Sequence, residues 1–142
     1  MGASSNPMKL FVNLPVENLD KSVEFFTKLG FTFNPQFTDK NATCMIIGED
    51  IFVMLLVKDF FKTFIKKEIS DSSKTTEAVM ALSQESREKV DEMVDNAFAA
   101  GAKPSNETND QGFMYTRSFQ DPDGHLWEIF WMDISAMPKE PK

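Results

Sequence analysis

The chain is poor in the residues that make crosslinks and soft-metal sites: it has one cysteine, Cys44, and one histidine, His125. A lone cysteine excludes an intrachain disulfide and fits a reducing compartment. Cys44 lies among strand-forming residues, where a thiol acts as a small buried hydrophobe rather than a nucleophile. Basic charge is also short, with 15 Lys and Arg against 22 Asp and Glu, a formal net charge of −7. Without a cationic surplus to displace counterions, binding to nucleic-acid phosphates is disfavoured. No apolar run approaches membrane-spanning length, and the longest, Ile51 to Val57, suits one buried strand. No signal peptide is visible, so a cytoplasmic location is expected. Also missing are a phosphate-cradling glycine loop, a dinucleotide fingerprint and a nucleophile with an adjacent base.

What remains is apolar and aromatic. An apolar fraction of 42% with fourteen phenylalanines, in 142 residues, suffices for one packed domain or two small modules sharing a core. The most informative stretch runs from Ser118 to Trp131. Its Asp121-Pro122-Asp123-Gly124 segment is turn chemistry: proline pre-sets φ, aspartate caps locally and glycine takes positive φ. A strand follows, and alternation puts Leu126, Glu128 and Phe130 on one face and His125, Trp127, Ile129 and Trp131 on the other. A carboxylate between two large apolar neighbours is costly unless paired. Glu128 is therefore a ligand or base in a pocket, or a solvent-facing residue on a half-covered sheet. Trp127 and Trp131 read as sheet-to-helix packing.

Taken in order, Met1 to Pro7 reads as a leader or expression remnant, with Met8 a candidate start. Lys9 to Leu14 reads as a strand. Asn18 or Asp20 caps a helix running to Leu29, with Leu19, Val23 and Phe26 as its buried stripe and Gly30 closing it. Strands are expected over Thr32–Phe37, Ala42–Ile47 and Ile51–Val57. Residues 58–75 read as a linker with a short amphipathic helix carrying Phe60, Phe61, Phe64 and Ile65. Packing is the expected role of that helix, a lid the alternative. The pattern then repeats: a strand over Glu77–Ser83, a helix from Ser86 to Ala100 with Val90, Met93, Val94, Ala97 and Phe98 as its stripe, then Gly101. Strands over Lys103–Thr108, Gly112–Phe119 and Leu126–Trp131 complete it. The two helix-closing glycines, Gly30 and Gly101, and the two hairpin glycines, Gly48 and Gly124, recur at similar offsets. This predicts a diverged internal duplication of a βαβββ unit, over residues 8–57 and 76–133, with 134–142 as a tail.

This combination resembles the vicinal oxygen chelate superfamily: glyoxalase I, bleomycin-resistance proteins, fosfomycin-resistance enzymes and extradiol dioxygenases. The resemblance covers Lys9 to Asp133. It rests on Leu14-Pro15-Val16-Glu17-Asn18-Leu19-Asp20-Lys21-Ser22-Val23-Glu24-Phe25-Phe26 with Leu29-Gly30-Phe31, and on Phe119-Gln120-Asp121-Pro122-Asp123-Gly124-His125-Leu126-Trp127-Glu128. With Gly112-Phe113-Met114-Tyr115 ahead of it, the second motif is similar to a glyoxalase-like bacterial group. The resemblance implies an α+β fold in which two tandem βαβββ modules form a curled eight-stranded mixed sheet around a cavity, helices outside.

Metal-dependent members of the superfamily place ligands on the first and last strand of each module. Glu128 matches one such position. The others fall on Phe11, on the Ile51–Val57 strand, which has no His, Glu, Gln or Asp, and near Val79. One carboxylate with carbon side chains cannot assemble a divalent-metal site. His125, on the face opposite Glu128, does not restore it. The expectation is a protein without metal or other cofactor that binds a small organic molecule and forms a homodimer. Phe11 and Val79 would be greasy walls, and Asn13 and Glu128 the orienting polar groups. Tyr115 and Arg117 share a face of their strand: inward, Arg117 would pair with Glu128 or an anionic ligand; outward, it would be a surface residue. Three alternatives stand beside this. A buried Glu128 with a raised pKa would serve as a general acid or base, with Asn13 or Tyr115 polarising a carbonyl. A metal-dependent lyase, isomerase or dioxygenase is another, and a dimeric interaction scaffold that lost the site is the third.

Overall fold

A computed structural model describes residues 8–136. The expected leader, 1–7, and the end of the expected tail, 137–142, lie outside the described residues. The chain runs β1 (Leu10–Val16), α1 (Leu19–Lys28), β2 (Thr32–Asn34), β3 (Ala42–Gly48), β4 (Ile51–Val57) and α2 (Lys58–Lys62). It continues with β5 (Val79–Ser83), α3 (Arg87–Ala99), β6 (Asn109–Asp110), β7 (Met114–Gln120) and β8 (Leu126–Met132). Two compact units divide between Ser70 and Asp71. Each holds one βαβββ module and one four-stranded mixed sheet, ordered β1-β4-β3-β2 in the first and β5-β8-β7-β6 in the second. In both, the first strand pairs in parallel with the last, and the remaining pairs are antiparallel. The fold is α+β, and its duplication is visible in the identical strand order.

Both long helices start and stop as their sequences direct. Asn18 Oδ1 accepts the Lys21 N–H at 3.1 Å, and Ser86 Oγ accepts the Lys89 N–H at 3.1 Å, each satisfying an orphan donor of the first turn. Gly30 and Gly101 close them at φ +103° and +104°. The buried face of α1 is Ser22, Phe25, Phe26 and the following Leu29, rotated from the expected stripe, with Leu19 and Val23 only half-buried. Aromatic packing sets that rotation: Phe25 and Phe26 meet edge-on at 4.9 Å, and Phe26 meets Phe31 at 6.1 Å. In α3, Val90, Val94 and Ala97 are buried, whereas Met93 is half-buried and Phe98 exposed, so its stripe is narrower than the spacing implied.

Two strand expectations need correction. The one over Thr32–Phe37 stops at Asn34. Pro35 has no N–H for the ladder, and Asn34 Oδ1 takes the Gln36 N–H at 2.9 Å, so Pro35–Phe37 winds into a 3-10 turn. The one over Lys103–Thr108 does not form. A single bridge pairs Lys103 with Gln120, and regular pairing resumes only at β6. Between them Pro104 lacks a donor, and Ser105 and Asn106 favour turns over strand. The segment is tethered by side chains instead. Ser118 Oγ accepts the Asn106 N–H at 2.9 Å and donates to the Asn106 carbonyl at 3.1 Å, while Gln120 Nε2 donates to the Pro104 carbonyl at 2.9 Å.

Candidate functional site

Strand register assigns each candidate residue to a face. In the second unit, α3 covers the face of β7 and β8 that carries Tyr115, Arg117, Phe119, Trp127, Ile129 and Trp131. The opposite face carries Val79 and Ala81 from β5, Glu128 and Phe130 from β8, and Thr116 and Ser118 from β7. In the first unit, Leu14 and Val16 of β1 are buried on one face. Phe11 and Asn13 stand on the other with Phe52, Met54 and Leu56 of β4. Phe11 is 45% exposed and stacks on Phe52 at 4.8 Å, while the Asn13 amide donates to the Phe11 carbonyl at 3.3 Å. Val79 is likewise 45% exposed.

The inward or outward question for Tyr115 and Arg117 is answered by α3. Tyr115 Oη donates to Asp91 Oδ1 at 2.6 Å, and Arg117 Nη1 donates to Asp91 Oδ1 at 2.8 Å and Asp95 Oδ1 at 3.0 Å. The Tyr115 hydrogen bond holds the Asp91 carboxyl below its ordinary value, and the same bond raises the Tyr115 phenol. For Arg117, desolvation pulls downward, but its two aspartates prevail and raise it. The Arg117 guanidinium is therefore spent on the helix side and does not pair with Glu128. Next to this network Arg87 lies over the Tyr115 and Trp131 rings at 4.8 and 5.4 Å and forks onto Asp110 at 2.6 and 2.9 Å.

Glu128 sits half-buried at the middle of β8, opposite Ser118 on one side and Ala81 on the other. Among the described residues no group donates to its carboxylate. Beside it opens a groove of about 240 Å³ between the 106–109 segment and β7, with Ser118 in its wall. Asn106, Glu107, Asn109, Met114, Thr116 and Glu128 line it, and Arg117 borders it with its guanidinium committed elsewhere. The residue pattern alone does not single out Asn106, Glu107 and Asn109, because 103–108 has the look of a paired strand. Pro104 followed by Ser105-Asn106 is the signal for a bulged segment.

The turn motif serves structure. Asp121 is 3% exposed; its Oδ1 accepts the Asp123 and His125 N–H groups at 2.9 and 3.0 Å, and its Oδ2 accepts the Trp127 indole at 2.9 Å. Burial pushes the Asp121 carboxyl upward against the pull of the neighbouring His125 and the indole. His125 is itself buried at this turn. Gly124, at φ +88°, lies so close to the Ser72 carbonyl that a Cβ would come within 2.6 Å of it, and Ser72 Oγ donates to the Asp123 carbonyl at 2.7 Å.

The residue types do not fit a chelating centre. Of the positions to which the resemblance assigns metal ligands, only Glu128 offers an oxygen or nitrogen donor. Phe11, Val79 and the matching face of β4, which is Phe52, Met54 and Leu56, offer carbon and one thioether. Among the described residues no group of three or more His, Cys, Asp or Glu gathers.

The sequence matches the family model for the N-terminal region of bleomycin resistance protein-like proteins over residues 9–48. No curated protein matches it. Among solved structures, a hypothetical protein from S. aureus is similar at 28% identity and TM-score 0.73, covering 92% of this chain and 95% of that one. A glyoxalase/bleomycin resistance protein/dioxygenase family enzyme from Burkholderia phytofirmans PsJN shares the fold at 15% identity and TM-score 0.71, covering 86% and 96%. So does a glyoxalase/bleomycin resistance protein/dioxygenase from Nocardioides, at 21% identity and TM-score 0.69, covering 99% and 93%. The duplicated module, the N-terminal match and these neighbours together give the chain the fold of the glyoxalase/bleomycin resistance/dioxygenase proteins.

Proposed function

We propose that this protein binds a small organic molecule without a metal ion, as a cytoplasmic homodimer of the glyoxalase/bleomycin-resistance type. The observation that carries this reading is Glu128, a half-buried carboxylate with no donor from the described residues, facing a groove of about 240 Å³ on the side of the sheet away from α3. A carboxylate at the wall of a groove, with no donor from the chain, is an acceptor that a ligand's donor can meet. The residues proposed to touch ligand are, unit by unit, Phe11 and Asn13 on the first and Val79 and Glu128 on the second. Tyr115 and Arg117 are assigned to holding α3 against β7. Catalysis through a bound ion is disfavoured by donor chemistry alone, since Phe11 and Val79 have no lone pair to give.

The test is native mass spectrometry of protein taken from cell lysate, followed by titration of the purified protein with zinc, nickel and iron. A dimer retaining an organic molecule, with no stoichiometric metal uptake, is the expected result. Tight one-to-one metal binding that disappears in Glu128→Ala would replace this reading with a metal-dependent lyase or isomerase.

A further inference from the structure

The groove beside Glu128 has a chemistry of its own, which bears on the kind of ligand taken if the proposed ligand-binding function holds. Besides Arg117 and Ser118, whose hydroxyl is engaged with the Asn106 backbone, five polar side chains line it: the exposed Asn106, Glu107 and Asn109 and the half-buried Thr116 and Glu128. Among the described residues, none of their side-chain polar atoms takes part in a hydrogen bond or ion pair within the chain. Two are carboxylates, which only accept, and the amides and hydroxyl both accept and donate. The one cation at its border, Arg117, is turned to Asp91 and Asp95 on the helix side. The groove is thus rich in acceptors and lacks positive charge, at a volume below the roughly 300–1,000 Å³ of drug-sized pockets.

We infer that this groove receives a cationic nitrogen group of the ligand, an ammonium, amidinium or guanidinium, held between Glu128 and Glu107 with its N–H donors shared among the carboxamides of Asn106 and Asn109. Charge-assisted N–H to carboxylate bonds are the strong ones in such a site, and a delocalised cation is desolvated more readily than a compact one. A bare hard metal ion fits less well. It asks for six or more oxygen ligands, of which only two here come from carboxylates. The groove lies where residues 104–108 leave the β ladder, so the recognition element and the broken strand are one feature.

The experiment is a backbone amide NMR titration of the full chain with three probes: agmatine, the neutral 1,5-pentanediol and calcium chloride. Agmatine should cause saturable shifts at residues 106–109, 116 and 128. Its affinity should fall about tenfold or more in Glu128→Gln and in Glu107→Gln, and stay unchanged in Glu85→Gln, which removes the same charge from outside the groove. Agmatine shifts that are spread over the surface, or that survive both groove substitutions, overturn the cation assignment. So does saturable binding at these residues by calcium in place of agmatine. If the diol binds on this face and agmatine does not, the cation inference fails while the ligand-binding function stands. If no probe binds and protein from lysate carries no organic molecule, both fall.

Discussion

Single residues in this chain act through a few decisive contacts, and Gly124 is the sharpest case. An alanine there would force a left-handed backbone at φ +88° and drive its Cβ into the Ser72 carbonyl. Gly30, at φ +103°, has open space around the same position. Gly30→Ala should therefore cost only the conformational penalty of about 1–2 kcal/mol. Gly124→Ala should cost more than that, about 3 kcal/mol or above, because a backbone clash is added. Urea denaturation of the two variants, side by side, checks the difference. Trp127→Phe would leave Asp121 Oδ2 without its indole donor in a buried turn, a loss of about 1–3 kcal/mol in the same measurement. Arg87 holds the Asp110 carboxyl at about 2, below the ordinary 3.8, first through its hydrogen bonds and then with the Gly112 N–H. A depressed carboxyl stabilises the fold above its unfolded value and loses that contribution as pH falls. The Arg87–Asp110 fork should thus be intact above pH 3.8 and fade as pH drops toward 2. In Arg87→Ala, carbon NMR should find Asp110 titrating higher than in the parent, with the Gly112 N–H still holding it down in part.

At the scale of elements, helix boundaries and the central strands were legible. Asn18, Ser86, Gly30 and Gly101 each act locally, so their chemistry reads directly into structure. Ile51–Val57 is apolar throughout and formed with the boundaries its sequence indicated. The broken pairing at 103–108 was not legible, because apparent strand propensity competed with one missing N–H at Pro104 and two side chains, Ser118 and Gln120, that lie far away in sequence. The same kind of distant partner hid the orientation of Arg117, which alternation left open until Asp91 and Asp95 of α3 decided it. Ser118→Ala removes both tethers to Asn106. Its expected effects are a stability loss of about 1–2 kcal/mol and faster hydrogen exchange at the Asn106 amide, with exchange in β8 little altered. Unchanged exchange at Asn106 would show that the bulged segment is held by something other than Ser118.

Across the whole chain, duplication has kept topology and let surface chemistry diverge. The strand orders of the two sheets match, yet the face carrying Phe11, Phe52 and Met54 has Asn13 as its polar group on β1 and β4, whereas the other carries Glu128, Ser118 and Thr116 among its apolar residues. Phe11 and the polar groove therefore offer a ligand different chemistry. With a net charge of −7, capture of a cationic ligand should also gain from the overall field and weaken as salt rises toward a Debye length of about 8 Å. Light scattering of the purified protein should give twice the mass of one chain; a mass of one chain at micromolar concentration would exclude the homodimer.

The Ser72 contacts bear on where the second unit may be cut. Ser72 lies seven residues ahead of β5, yet its hydroxyl and carbonyl close over the hairpin that launches β8. An excised second half beginning at its first strand would leave that hairpin uncovered and would remove the Ser72 hydrogen bond to the Asp123 carbonyl. The autonomous piece, if one is to be expressed, begins at Asp71.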